Sequence, residues 1–241
     1  MGGGRGEPLV LLHGIGSRGQ VWAPVLPMLE ERFAVFAPTL PGASVRELAD
    51  EVSRLAGPGP FHVAGSSMGG GVALELGRRG AARSVTVFSP IGFWGPAGRR
   101  WCQASVTAAR GCARAFAPAL PGLARTSAGR VALFGLFFGH PGRVDPAEGV
   151  ADARHLAHAP GFAAARRAFA AHRFAGPGAL DGIAVTVAWG SRDLILPVRQ
   201  ARRAAALLPS ARHVRLPGCG HLPFADDPRA CAELILATAA A

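Results

Sequence analysis

The amino-acid sequence of 241 residues lacks lysine, asparagine and tyrosine, so all 26 of its basic side chains are arginine. Alanine, glycine and proline are abundant, and this combination is typical of a GC-rich coding sequence, which replaces lysine by arginine without regard to function. The formal net charge of +11 is therefore weak evidence for an anionic partner. Nucleic-acid binding would need arginine clusters interleaved with aromatic residues on a recognisable module. The sequence contains none, so we expect no nucleic-acid partner.

Long apolar runs are also missing. No apolar segment reaches the roughly 18 residues that a membrane-spanning helix needs. The apolar residues 8–12 are too few for the apolar region of a signal peptide, which has about 7–15 residues. We therefore expect no stable membrane insertion and a cytoplasmic location. The length and the 49% hydrophobic content predict one packed domain with a buried core, with room for an inserted subdomain.

The four cysteines show no CxxC spacing, which argues against a zinc site and against a redox pair. Free and mostly buried thiols are expected. Cys219 precedes His221 by two positions, but two residues on one turn have poor geometry for a cysteine–histidine nucleophile pair. The sequence predicts no metal site.

Short apolar runs alternate with helical patterns in the first ninety residues and again after residue 178. This alternation is typical of βαβ units and predicts a mostly parallel sheet flanked by helices. The predicted strands are 9–12, 33–37, 61–64, 84–88, 185–189 and 213–216. The predicted helices between and after them are 21–31, 45–55, 68–77, 198–208 and 228–240.

No strand pattern is found from residue 91 to residue 178. This stretch contains helical patterns broken by proline and glycine, at 101–116, 123–138, 146–157 and 161–174. It also carries eleven arginines against three acidic residues, and so most of the net charge. We interpret residues 91–178 as an inserted, all-helical subdomain and residues 1–90 and 179–241 as the α/β core.

A GxSxG motif, Gly65-Ser66-Ser67-Met68-Gly69, lies between a predicted strand and a predicted helix. Such a sharp turn holds its central serine in strained backbone geometry and needs small residues on either side. The turn would raise the Ser67 hydroxyl above the sheet, and the helix N-terminus would favour a developing negative charge. Ser67 is therefore the predicted nucleophile, ahead of Ser66, and the Met68 N–H is a predicted oxyanion donor.

A second turn, around His13-Gly14-Ile15-Gly16, follows the first predicted strand. Its glycines allow a backbone N–H, which we expect to be that of Ile15, to point at the same place above the sheet. Two such donors would stabilise the charge of a tetrahedral transition state. His13 is interpreted as a structural residue that binds the loop backbone, not as the catalytic base.

Asp193 and His221 each follow a later predicted strand, at the carboxyl edge of the sheet where open parallel sheets bind their ligands. A serine hydroxyl needs a base to take its proton, and a carboxylate to orient that base. Ser67, His221 and Asp193 are thus the predicted nucleophile, base and orienting acid. Two alternatives stay open: Asp193 as a helix cap, and Asp226 or Asp227 as the partner of His221.

Taken together, these turns resemble the α/β-hydrolase fold family over essentially the whole chain. The resemblance implies a Ser-His-Asp mechanism through an acyl-enzyme, no cofactor, and a helical lid that matches residues 91–178. Members usually begin with two strands before the oxyanion strand, whereas eight residues precede Leu9 here. The first strands are therefore expected to be absent, or the start of the chain to be placed too late. The matching motifs are 12–16, 65–69, 189–193 and 218–221.

The substrate is predicted to be a small-molecule acyl compound, a small or medium hydrophobic ester or thioester. A serine at position 67 disfavours epoxide hydrolases and haloalkane dehalogenases, which need a carboxylate there. Candidate pocket residues on the insertion are Phe93, Trp94, Phe134 and Phe138. Acyl transfer, carbon–carbon bond hydrolysis and a non-catalytic binding role are alternatives, and arginines facing the cleft would favour an anionic substrate. A membrane- or DNA-binding role of the basic insertion is a further alternative, and the oligomeric state is left open.

Overall fold

The computed structural model describes residues 2–3, 6–57 and 59–241. Its strands are β1 (Gly2–Gly3), β2 (Glu7–Leu12), β3 (Phe33–Phe36), β4 (Phe61–Ser66), β5 (Ala82–Phe88), β6 (Ala184–Gly190) and β7 (Arg212–Leu216). Over this part of the chain they form one sheet in the order β1-β3-β2-β4-β5-β6-β7. All neighbouring strands are parallel except β1, which runs antiparallel to β3. The predicted fold class, a mostly parallel sheet flanked by helices, is confirmed.

The helices fall into a core set and a middle set. The core set is α1 (Leu26–Leu29), α2 (Val45–Ala56), α3 (Met68–Arg78), α9 (Ala201–Leu207) and α10 (Pro228–Ala239). The middle set is α4 (Pro96–Ala115), α5 (Leu120–Ala124), α6 (Ser127–Phe134), α7 (Pro146–His158) and α8 (Phe162–Ala171). Short 3-10 turns lie at Gly19–Trp22, Pro141–Arg143, Gly178–Gly182 and Val198–Gln200.

The sheet is buried on both faces. Successive residues of a strand point to opposite sides of the sheet, and here the residues on both sides are covered by helices. In β2, Val10 and Leu12 pack with residues of α2 and α3, whereas Leu9 and Leu11 pack with Trp22 and residues of α10. Every residue of the central strand β4 is buried. This explains why the strands read as nearly continuous apolar runs.

Two predicted helices are broken in the structure. The predicted helix 21–31 is a 3-10 turn followed by the four-residue α1, because Pro24 and Pro27 have no backbone N–H to continue a helix. The predicted helix 123–138 is divided between α5 and α6. Thr126, between them, has extended backbone angles and accepts a hydrogen bond from Gly129 N at 3.0 Å, which makes it the N-cap of α6.

The middle helices occupy the predicted insertion. Residues 89–183, all of which the structure describes, contain no strand, and α4 packs against α7 and α8. The division of the chain at residues 90 and 178 and the role of this segment as a lid stay predictions. Before β2, the described residues contain a single strand, the two-residue β1. Among the helices described, none has the length and apolarity needed to cross a bilayer.

Candidate active site

Ser67 lies in the turn between β4 and α3 with φ 55° and ψ −114°. A positive φ is costly for a residue with a Cβ, so the surroundings must hold it in place. The Ser67 N–H donates to Phe88 O at 3.0 Å, and Ser67 O accepts from Gly71 N and Ile91 N, both at 3.1 Å. The backbone of Ser67 is thus fixed by the strand beside it, by α3 and by the segment after β5.

The glycines of this turn are required by close contacts. A Cβ at Gly65 would collide with the carbonyl group of Gly69, and a Cβ at Gly69 would collide with that of Leu12. A Cβ at Gly14 would lie 3.1 Å from the Cβ of Ser67. The turn that holds Ile15 is therefore directly beside Ser67. Met68 is the first residue of α3, where a backbone N–H has no partner within the helix.

His221 and Asp193 form a buried pair at the carboxyl edge of the sheet. The Nδ1–H of His221 donates to Asp193 Oδ2 at 2.8 Å, and the two residues are 3% and 4% exposed. Because the carboxylate can only accept, Nδ1 carries the proton of this hydrogen bond, and Nε2 is the ring nitrogen left available to another group. The other carboxylate oxygen of Asp193 accepts from Ile195 N at 2.9 Å and Leu196 N at 2.7 Å. Asp193 therefore orients the imidazole and also shapes its own loop.

The alternative carboxylates have other partners. Asp226 accepts from the backbone N–H groups of Gly139, His140 and Gly220, at 2.7–2.8 Å. Asp227 is the N-cap of α10 and accepts from Ala230 N. Asp226 thereby joins the turn before His221 to the end of the helical segment. This role was missed by the sequence analysis, since the partners of Asp226 include groups 86 and 87 positions away.

Ser67 and His221 line one cavity of about 420 Å³. Its walls come from the turn at residues 14–18, which includes Ile15 and is here named the oxyanion turn for its predicted role, and from α4–α7. Phe134 and Phe138 line it as predicted, together with Phe116 and Phe137, which the sequence did not single out as pocket residues. The lining is mostly alanine, leucine and phenylalanine, so the cavity suits an apolar group.

Phe93 and Trp94 do not line this cavity, and for these two residues the structure corrects the prediction. Both are buried in the core. The Phe93 ring packs against Phe174 at 5.1 Å between centroids, and Trp94 packs against Phe169 at 5.9 Å. They come straight after β5, so they fill the space between the sheet and the segment around α8 instead of reaching the cleft.

Two polar contacts join α7 to the oxyanion turn. Arg18 Nε donates to Asp152 Oδ1 at 3.3 Å, and His155 Nε2 donates to Ser17 O at 3.0 Å. Asp152 also lines the cavity, and burial raises the pKa of its carboxyl group. No local sequence signal marks these contacts, because their partners are more than 130 positions apart.

Several arginines of the helical segment serve as caps of helix ends. Arg110 and Arg114 donate to Ala157 O, and Arg110 also donates to Ala159 O, at the end of α7. Arg130 donates to Ala124 O at the end of α5 and to Gly142 O. Cations at helix C-termini are favourable because the carbonyl groups there lack partners. These arginines therefore have structural partners and do not by themselves favour an anionic substrate.

His13 is the structural residue expected from the sequence. Leu40 N donates to its Nε2 at 2.8 Å, and its Nδ1–H donates to Gly14 O at 2.7 Å. Burial lowers the pKa of His13 to about 4. The ring is therefore neutral and holds the oxyanion turn against the segment at Leu40.

Acidification is expected to destabilise the protein through His13. The unfolded chain binds a proton at this residue near pH 6.5 and the folded chain only near pH 4. Its stabilising contribution is therefore complete above pH 6.5 and lost as the pH falls toward 4, up to about 3 kcal/mol. Urea unfolding of wild type and His13→Gln at pH 7.5 and 4.5 would measure this loss. Equal losses of unfolding free energy in both proteins would contradict the expectation.

Two other sets of nucleophilic residues lie outside the site. Burial raises the pKa of the Cys219 thiol to about 12, which keeps it protonated and unreactive.

His62 Nδ1 lies 2.7 Å from Ser84 Oγ and its Nε2 lies 3.1 Å from Glu7 Oε2. This Ser–His–Glu row lies near the amino ends of the strands, away from the cavity, and Ser84 is inside a strand. It therefore lacks the free backbone N–H groups of a turn.

Comparison with known proteins agrees with the geometry. The family model described as "Alpha/beta hydrolase family" matches residues 9–234. An uncharacterised protein of Mycobacterium tuberculosis is 38% identical over 55 residues, which cover 23% of this chain and only 16% of that relative. A pimeloyl-[acyl-carrier protein] methyl ester esterase of Aromatoleum aromaticum is 31% identical, over 94% of this chain and 96% of that protein.

Solved structures agree on the fold. A thermophilic esterase from Thermogutta terrifontis superposes with a TM-score of 0.73, covering 98% of this chain and 90% of that one. At 22% sequence identity this likeness shows the fold alone.

Proposed function

The chain belongs to the alpha/beta hydrolase family, and we propose that it is a serine hydrolase that cleaves a small or medium hydrophobic ester or thioester through an acyl-enzyme. The observation that carries the proposal is the buried Asp193–His221 hydrogen bond at an apolar cavity that Ser67 also lines. A strained serine, an imidazole held at Nδ1 by a carboxylate and a turn beside the serine are the parts that acyl transfer needs.

In the first half of the reaction, His221 Nε2 takes the proton of Ser67 as Oγ attacks the acyl carbon. The N–H groups of Ile15 and Met68 would donate to the oxyanion, which exists only in the tetrahedral intermediate. The imidazolium, stabilised by Asp193, then gives its proton to the departing alcohol or thiol. In the second half, water loses a proton to His221 as it attacks the acyl-Ser67 ester. His221 then gives this proton to Ser67 Oγ as the bond from Oγ to the acyl carbon breaks, which releases the acid and restores the serine.

The apolar walls of the cavity support a hydrophobic acyl group. The relative from Aromatoleum aromaticum is named for hydrolysis of a methyl ester, which supports a carboxylic ester as the substrate class. Oxygen and sulfur leaving groups need the same proton from His221, so both esters and thioesters fit the proposal. No metal ion or organic cofactor is needed for these steps, and the proposed location is the cytoplasm.

A fluorophosphonate probe would test the proposed site without knowledge of the natural substrate. The probe needs only an activated serine and oxyanion donors. We expect a single adduct, which mass spectrometry would locate on Ser67, and we expect it to be lost in His221→Ala. If folded protein gave no adduct on Ser67, a non-catalytic binding role would replace this proposal.

The apolar walls of the cavity predict selectivity for the length of the substrate's acyl chain. Ala109 on α4 lines the cavity, and in Ala109→Phe the new ring would occupy part of its volume. We expect kcat/KM for an octanoyl ester to fall about tenfold or more relative to an acetyl ester, since the longer chain loses its apolar contacts. Hydrolysis of the two p-nitrophenyl esters would measure this ratio.

The matched control for this prediction is Ala104→Phe. Ala104 lies on the same helix, is exposed and does not line the cavity. Its substitution should leave the octanoyl-to-acetyl ratio unchanged. If both variants changed the ratio equally, the acyl chain would not bind in this cavity.

A further inference from the structure

We propose that residues 111–132, here named the rim surface, bind the surface of an anionic lipid membrane and take up the acyl substrate from it. The rim surface comprises the end of α4, the whole of α5 and most of α6. The uptake of substrate rests on the proposed function, whereas the binding to lipid does not. Three features carry the inference: exposed apolar side chains, the position of the cavity mouth and the lack of acidic residues.

The rim surface exposes large apolar side chains. Phe116 is 51% exposed, Val131 52% and Leu123 39%. Between Phe116 and Leu123 the exposed residues are alanine, glycine and proline, whereas arginine, threonine and serine are exposed between Leu123 and Val131. A group of exposed large apolar side chains of this kind marks a site that contacts another apolar phase or molecule.

The cavity opens at this surface. Phe116 and Leu123 are exposed and also line the cavity that contains Ser67 and His221. Exposed Cys112 and Ala132 line it as well. An acyl chain that leaves a bilayer beneath the rim surface would therefore pass along apolar side chains into the cavity without crossing water. This continuity ties the exposed surface to the proposed reaction.

The positive charge of residues 96–144 favours an anionic binding partner. From residue 76 to residue 144 the sequence contains no aspartate or glutamate, and residues 96–144 contain seven arginines. Across the described residues, none of those seven forms a salt bridge. Within the rim surface itself Arg125 is exposed, and so is Arg114, whose Nε also donates to Ala157 O. Apolar side chains flanked by arginine are the pattern of interfacial binding, in which the arginines bind anionic lipid head groups.

A second copy of the chain suits this surface less well. A symmetric dimer through the rim would bring Arg114 and Arg125 of both copies together with no acidic residue to offset them. The exposed phenylalanine and valine need an apolar phase, and the arginines need negative charge. A bilayer with anionic lipid supplies both over a broad area.

Co-sedimentation with vesicles tests the proposal. Vesicles of phosphatidylcholine with phosphatidylglycerol should bind the full-length protein, and vesicles of phosphatidylcholine alone should bind it weakly. Val131→Gln, which lies outside the cavity lining, should lower the partition coefficient about tenfold. Arg125→Glu should lower it about fivefold or more. The assay needs no turnover, so it can succeed or fail independently of the proposed hydrolysis.

Matched variants separate the rim surface from the general positive charge of the protein. Leu207→Gln changes a similarly exposed apolar residue outside the rim, and Arg229→Glu makes the same change in net charge as Arg125→Glu. Both should bind vesicles like the wild type. If each control lost as much binding as its rim partner, or if the wild type did not bind anionic vesicles, the proposal would be overturned. Binding to an acidic acyl-carrier protein without binding to vesicles would also overturn it.

Discussion

Replacement of Ser67 by alanine is expected to reduce kcat for ester hydrolysis by about 10⁶-fold, the order found when a triad serine is removed. Without Oγ there is no atom for His221 to activate and no acyl-enzyme. The backbone of Ser67 is held by its bonds to Phe88, Gly71 and Ile91, which do not involve the side chain. The fold should therefore survive, and the loss should appear in turnover of p-nitrophenyl butyrate but not in the thermal unfolding curve.

The neighbouring serine provides the control for this prediction. Ser66 is fully buried at the end of β4, and its hydroxyl has no hydrogen-bond partner in the part of the chain that the structure describes. Ser66→Ala should keep kcat within a few-fold, because no step of the proposed mechanism uses Oγ of Ser66. A Ser67→Ala protein with more than a hundredth of wild-type turnover, or a Ser66→Ala protein without turnover, would refute the assignment of the nucleophile.

The sheet and its turns could be predicted because their signals are local. An apolar run of four or five residues followed by glycine is visible within a short window, and the strands around Leu9 and Ser67 were found in this way. Helix ends that depend on single residues were harder to predict. The helix predicted at 21–31 contains Pro24, where the structure has no helix, and the helix predicted at 123–138 contains Thr126, which is the N-cap of α6.

The walls of the cavity could not be predicted in the same way. Phe93 and Phe134 are both aromatic residues of the insertion, yet Phe93 packs in the core and Phe134 lines the cavity. The difference depends on how α4–α8 pack on the sheet, which no short window of sequence encodes. The contact between Asp152 and Arg18 is non-local for the same reason, since the two residues are 134 positions apart.

Substitution of Asp193 by asparagine should lower the rate of catalysis without lowering the stability of the fold. The asparagine carbonyl can replace Oδ1 and still accept from Ile195 N and Leu196 N. Its NH₂ group would then take the place of Oδ2 and donate to His221 Nδ1. The imidazole would have to carry its proton on Nε2, the atom that must accept the proton of Ser67. We expect kcat to fall about 10⁴-fold with little change in the melting temperature.

Asp226→Asn is the matched control, since Asp226 is one of the two other carboxylates that the sequence allowed as the partner of His221. Its Oδ2 accepts from Gly139 N and Gly220 N at 2.8 Å, and its Oδ1 accepts from His140 N at 2.7 Å. An amide has one accepting oxygen, so at least one of these N–H groups would lose its partner, at a cost of about 1–3 kcal/mol of unfolding free energy. Urea unfolding should show that loss, and kcat of the folded variant should stay within tenfold of wild type. If instead Asp226→Asn lost 10⁴-fold in kcat and Asp193→Asn kept its activity, Asp226 would be the residue that orients the base.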